Sequence, residues 1–267
     1  MNVINKKFYD LKNFKKVFHK NLPFPHIVID NFLSQEFYEN LNLDKKNINE
    51  KNGKQFQTDF EKNKWISKNA ELPNKIKMII NELNSELWTK KLSELSNIES
   101  VFATKIGNID LANYHEMKDK GYLGPHVDHS DDPDTGSPHV LNLLLYLSKE
   151  WSSEWGGSTL FFDKKGKNIV KEVQYKPNRA IIFLHTPYSF HGVKEILNNK
   201  NIRSSIYVDY YSKSKNPYKN IKLNFKNEWF KHGTTFVLPK FTDYLKAKNF
   251  KYAKTFLKYK FNKFTSN

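Results

Sequence analysis

The sequence predicts a mainly β protein, a sandwich or jelly roll of short strands with helices packed outside it. From about Val101 to Tyr211 the chain breaks into short runs of apolar and β-branched residues, separated by clusters such as DDPDTGSP and KPNR. Gly, Pro, Asn and Asp at those positions are the punctuation of turns between strands. Eight such runs fall near 101–106, 109–116, 140–147, 158–162, 169–174, 180–184, 190–196 and 203–211, a density suited to a double sheet or barrel. Helical periodicity is confined to the chain on either side, and no internal repeat is present.

Ahead of the β-rich stretch, PFPHIVIDNFLS gives a short apolar strand near His26–Ile29, and Ser34 is placed to cap a helix through about Leu43. Residues 44–64, rich in Asn, Lys and Gln, read as a polar loop. Pro73 then occupies a first helical position, and Ile76, Ile79, Ile80, Leu83 and Leu87 recur at three- and four-residue spacing, the stripe of an amphipathic helix lying on a sheet. After the strands, Phe250, Ala253, Phe256, Leu257, Phe261 and Phe264 form a stripe within a helix expected between Phe241 and Phe264, with lysines mostly elsewhere. That helix either packs on the core with its lysines solvated or offers a basic amphipathic surface to an acidic partner. The expected organisation is an α+β segment over 1–100, a β core over 101–212 and a basic aromatic extension over 213–267.

The 267 residues contain no cysteine, which excludes disulfides, thiolate catalysis, iron–sulfur clusters and cysteine-ligated zinc. Any metal must be held by His, Asp or Glu. No stretch reaches the roughly 20 apolar residues of a membrane span and the N-terminus lacks a secretory pattern, so a cytoplasmic protein is expected. The net charge of +16 is uneven, because residues 213–267 hold 14 Lys against Glu228 and Asp243, or +12, leaving +4 for the rest. Basicity therefore belongs to the tail, and any nucleic-acid contact would be sought there. Only Arg179 and Arg203 break a run of 42 lysines among 44 basic residues.

The segment GPHVDHSDD supplies the chemistry. In an extended strand, residues two apart point the same way, so His126 and Asp128 can present an imidazole and a carboxylate to one ion. His191 follows in YSFHGV. Two imidazoles and a carboxylate leave one side of a metal open, the donor set of non-haem iron(II) oxygenases. An H-x-D pair alone is weak. It gains weight from Arg203, twelve residues after His191 in the alternating strand NIRSSIYVDYY, because an inward guanidinium needs an anion to meet.

The order H-x-D, distal His, then Arg-x-Ser resembles the Fe(II)/2-oxoglutarate dioxygenase superfamily, in particular its prolyl 4-hydroxylase-like branch. YHEMKDKGYLGPHVD, LLLYLSKEW, WGGSTLFF and KPNRAIIF agree in order with it over about residues 101–211, and PFPHIVIDNFLS is similar to the entry segment of bacterial members. The resemblance implies a double-stranded β-helix, iron(II) on His126, Asp128 and His191, and 2-oxoglutarate and O2 as cosubstrates, with ascorbate stimulatory. It further implies that Arg203 binds the distal carboxylate of 2-oxoglutarate, with Ser205 beside it, Tyr114 reaching the same group and Asn142 donating another hydrogen bond. Two departures stand out: prolyl 4-hydroxylases use Lys where this chain has Arg203, and Asn178 replaces a turn glycine, a position Asn tolerates. The implied activity is hydroxylation of a small-molecule or peptidyl substrate.

Other residues carry plainer expectations. His129, Asp131 and Asp132 read as a solvated acidic turn rather than a second metal site, and His139 and His185 as structural residues of the barrel. Gly156 and Gly157 read as a tight corner, since no Lys-Ser/Thr follows to make a phosphate loop; Trp151 and Trp155 pack around it. Two other functions remain open at this point: a nucleic-acid oxygenase of the same superfamily using the basic tail, and a non-enzymatic jelly-roll module with a structural divalent ion.

Overall fold

The computed structural model describes residues 2–41, 53–104, 112–197, 200–223 and 229–237, together with Lys254, Leu257 and Phe261. Its helices are α1 (Lys15–Lys20), α2 (Gln35–Glu39), α3 (Asn74–Leu83) and α4 (Glu86–Ser96). Its strands are β1 (His26–Ile29), β2 (Gly53–Phe56), β3 (Glu61–Ser67), β4 (Val101–Ala103), β5 (Tyr114–Val127), β6 (His139–Tyr146), β7 (Thr159–Phe162), β8 (Ile169–Val173), β9 (Ala180–Leu184), β10 (His191–Val193), β11 (Arg203–Ser212) and β12 (Thr235–Phe236).

Hydrogen bonding runs β1-β9-β6-β11-β5-β10-β7-β8, with β4 on β11 and β2-β3 and β12 on β5. The long strand β5 belongs to both halves: Tyr114–Met117 pairs with β11, while Leu123 and His126 pair with β10. The result is a nearly closed jelly roll whose two sheets share β5.

Strand β6 shows why the sequence folds this way. All eight of its residues are buried, so it reads as an apolar run rather than an alternation, as expected of a strand covered on both faces. Leu141, Leu143 and Leu145 join the larger core with Ile182, Leu184, Ile206 and Val208, beneath the helices. Leu144 and Tyr146 turn the other way, into the barrel interior with Phe161 and Phe183. Asn142, fully buried on that interior face, is the polar exception in the run.

The helices clamp the outer face. Ile76, Ile79, Ile80 and Leu83 of α3 are all buried, each contributing about 1.5–3 kcal/mol of apolar transfer. The expected stripe stops there, since Leu87 is exposed. The chain restarts at Ser85, whose side chain caps α4 by accepting from Trp88 N–H at 3.2 Å, and Trp88 takes over the inward position. Ser34 caps α2 as the sequence predicts, although that helix ends at Glu39.

Three expectations change. Residues 53–67, read mostly as loop, form the β2-β3 hairpin and extend the sheet through β5. The segment 229–237 returns to the barrel and pairs with β5 at Val127 and His126. The acidic turn is buried: Asp132 accepts from Thr135 Oγ1 at 2.7 Å and Asp131 pairs with Lys231 at 2.8 Å. The strand expected at 109–116 lies partly outside the described residues, as does the tail helix except for Lys254, Leu257 and Phe261, which are helical. Among the described residues, no helix is long and apolar enough to cross a membrane.

Candidate active site

Pairing of β5 with β10 sets His126 directly opposite His191, with ring centroids 4.3 Å apart. Asp128 follows just beyond the end of β5, its Oδ1 3.4 Å from His126 Nε2 and its Oδ2 3.4 Å from His191 Nε2. One donor atom from each of the three lies within 4.8 Å of the others. Backbone carbonyls fix both rings: His126 Nδ1 is 2.9 Å from Gly124 O, and His191 Nδ1 is 3.0 Å from Ser189 O. Each Nδ1 therefore carries the proton and each Nε2 turns its lone pair inward, the tautomer a metal needs.

Electrostatics agree with that assignment. Burial, reinforced by the neighbouring His126, lowers the His191 pKa to about 4, so the imidazole is a neutral donor. Burial alone would raise Asp128, but His191 and His126 hold its carboxyl well below the usual range. The set is thus two imidazole nitrogens and one carboxylate oxygen, which fits a borderline divalent ion such as iron(II).

The triad opens onto a cavity of about 530 Å³. Strand β11 sends Arg203, Ser205, Tyr207 and Asp209 into it at two-residue intervals. Arg203 is 2% exposed and has no carboxylate partner among the described residues. Its Nε donates to Gly157 O at 2.7 Å and one terminal nitrogen approaches Ser205 Oγ at 3.4 Å, while Nη2 is buried without a partner. The guanidinium stands 5.2 Å from the Tyr146 ring centre and 5.3 Å from that of Tyr175. A buried cation with an unused donor is an expensive arrangement in isolation. It makes sense as a receptor for an anion.

Gly157 makes this possible. Its φ is +72°, and a Cβ there would lie 2.9 Å from Trp151 and 3.1 Å from Arg203 Cδ. The corner expected from the sequence thus also supplies the carbonyl that orients Arg203.

Two expected contacts are not formed. Tyr114 lies in the outer core, fully buried, with its hydroxyl donating to Glu116 at 3.0 Å; His115 and Met117 line the cavity instead. The β5 ladder is irregular opposite Lys62–Lys64 and again opposite β10, so side-chain alternation does not run unbroken from His126 back to Tyr114. Asn142 stands behind the triad, with Nδ2 3.2 Å from Asp128 Oδ2 and 3.1 Å from Asp209 Oδ1. It serves the metal ligand rather than facing Arg203.

Several cavity residues escape a reading by motif. Burial and the nearby Asp128 charge push the Asp209 carboxyl well above its usual range, which favours its protonated form beside Asp128. Phe56, Lys64 and Ile66 of the β2-β3 hairpin form one wall. From the C-terminal segment, Phe236 stacks on His126 with centroids 5.1 Å apart and on Phe60 at 5.0 Å. His139 and His185 stack 4.0 Å apart, and His185 Nε2 lies 3.4 Å from Asp128 O, a buried support beneath the site.

Comparison with known proteins agrees with this geometry. Residues 110–209 match the family described as the 2OG-Fe(II) oxygenase superfamily. Prolyl 3-hydroxylase OGFOD1 of Xenopus laevis is 30% identical over 191 residues, 70% of this chain and 34% of that protein. The Mus musculus protein of the same name is 24% identical over 197 residues, 72% of this chain and 33% of its own length. The chain thus spans about a third of the length of these curated relatives. In fold it is similar to a Pseudomonas putida prolyl-4-hydroxylase, with TM-score 0.55 and 11% identity over 76% of this chain and 100% of that one. Residues 110–209 thus carry a 2OG-Fe(II) oxygenase domain, within a stretch similar to prolyl hydroxylases.

Proposed function

We propose that the protein hydroxylates a peptidyl substrate in a reaction dependent on iron(II), 2-oxoglutarate and O2, releasing succinate and CO2. The observation that carries this reading is the buried, carboxylate-free Arg203 in the same cavity as His126, Asp128 and His191. A structural ion would need the triad but not the arginine. The peptidyl class is supported by the prolyl hydroxylases to which the chain is similar, and by a cavity with more room than a five-carbon diacid fills.

In this reading His126, Asp128 and His191 hold iron(II), which when bound supplies oxygen activation coupled to decarboxylation of 2-oxoglutarate. Arg203 donates charge-assisted hydrogen bonds to the distal carboxylate, and Ser205, on the same strand face, adds a hydroxyl. The Tyr146 and Tyr175 rings hold the guanidinium in place. The raised pKa of Asp209 disfavours a second anion beside Asp128, where it would repel the cosubstrate. The β2-β3 hairpin and the segment around Phe236 wall the cavity, orient the target bond and exclude water.

Conversion of 2-oxoglutarate to succinate tests the reading. Asp128→Ala and His191→Ala each abolish it; turnover retained in both would remove the metal assignment. Arg203→Lys loses bidentate geometry and raises the Michaelis constant for 2-oxoglutarate about tenfold or more, at unchanged iron affinity. An unchanged constant would move the carboxylate site elsewhere.

A further inference from the structure

The carboxylate of Asp128 is gripped by two groups from neighbouring strands. The Tyr207 hydroxyl lies 2.7 Å from its Oδ2, and Asn142 Nδ2 lies 3.2 Å from the same atom. The hydroxyl is also 3.4 Å from His191 Nε2. A phenol has one proton to give, and the anionic, nearer oxygen takes it. Asp128 Oδ1 has a different neighbour, His126 Nε2 at 3.4 Å. Each oxygen thus faces one of the two imidazoles at 3.4 Å, and Oδ2, the one beside His191, is the one that Tyr207 and Asn142 hold.

The ring that carries this hydroxyl has little freedom. Two imidazoles neighbour it in nearly parallel planes, His115 at 5.9 Å and 15° and His191 at 6.4 Å and 13°. Its flanking residues Ile206 and Val208 are locked in the outer core, so β11 cannot rotate to withdraw it.

We propose that Tyr207 is a positioning residue for the metal centre: its hydroxyl, with Asn142, fixes the Asp128 carboxylate in the orientation that presents it to iron alongside His126 and His191. The inference rests on the iron-site reading above. A carboxylate held this way has lost its torsional freedom before the metal arrives, and outer-sphere hydrogen bonds of this kind are commonly worth about 10- to 100-fold in metal affinity.

The test uses cobalt(II) titrated anaerobically into the metal-free full chain by calorimetry, with wild type, Asp128→Ala, Tyr207→Phe and Tyr207→Leu. The expected result is binding that depends on Asp128 and weakens about 10- to 100-fold in both Tyr207 variants, while metal-free Tyr207→Phe stays folded, its melt lowered only by the lost hydroxyl bond because the ring remains in place. If Tyr207 only fills space, Phe restores wild-type affinity and Leu alone is defective. That pattern overturns the inference and leaves the iron site standing. Cobalt binding indifferent to Asp128→Ala would overturn the iron-site reading, and the inference with it.

Discussion

At Gly157 a single methyl group would meet Trp151 and Arg203 at once, on a backbone whose φ of +72° already disfavours a side chain. Gly157→Ala should cost about 1–3 kcal/mol in stability through that conformation. It should also displace the carbonyl that receives Arg203 Nε. The measurable signature is a Michaelis constant for 2-oxoglutarate that rises several-fold while cobalt affinity stays at the wild-type value; equal loss of both would mean the whole corner had collapsed. At this scale the sequence was most legible where chemistry is rare. His126, Asp128, His191 and Arg203 stand out because a metal demands few residue types and because arginine is scarce in this chain. Tyr207 and Asp209 lie on the same alternation as Arg203, yet they look like ordinary strand residues until Asp128 is seen beside them. Tyr114, which the resemblance placed on the cosubstrate carboxylate, lies in the outer core instead, on a β5 ladder whose irregularity breaks the alternation from His126.

At the scale of elements, strands with apolar runs and helices with apolar stripes announced themselves, since burial on one or two faces writes a period into the chain. The β2-β3 hairpin did not, because its partly exposed residues carry mixed polarity and its place comes from pairing with β5. Strand β12 is two residues long, too short for any periodicity. The second arginine turns out to join elements: Arg179 Nε and Nη2 donate to Asp30 at 2.6 and 3.1 Å, linking the end of β1 to the start of β9. Arg179, with Lys176, lowers the Asp30 pKa from 3.8 to about 2. A carboxyl depressed in the folded state adds stability above its unfolded pKa, and that contribution disappears as pH falls through 4 toward 2. Asp30 is 37% exposed, so screening limits the effect to about 0.5–1 kcal/mol. Asp30→Asn should therefore melt below wild type at pH 7 and together with it at pH 2. A gap that persisted at pH 2 would show that the residue acts through packing instead.

For the whole molecule, the sequence separated a β core from a basic extension at residue 212, and the active site crosses that line. Residues 229–237 are tied to the strand that bears His126: Ser130 N–H donates to His232 O at 2.9 Å, Val237 N–H to Pro125 O at 2.8 Å, and Phe236 covers the His126 ring. The charge lies mostly further on, with eight lysines against Asp243 after Val237, a net +7. We propose that this stretch recruits an acidic partner, a role separable from catalysis because its lysines follow, in sequence, the segment 229–237 that touches the site. Two truncations divide them. A chain ending at Val237 keeps the cover over His126 and should retain cobalt affinity and 2-oxoglutarate turnover, while losing salt-dependent retention on heparin. A chain ending at Leu223 exposes the His126 ring and unzips β12, so cobalt affinity and turnover should fall together. If turnover survives the second cut, the segment around Phe236 is a bystander to the metal; if heparin retention survives the first, the basic surface lies on the core after all.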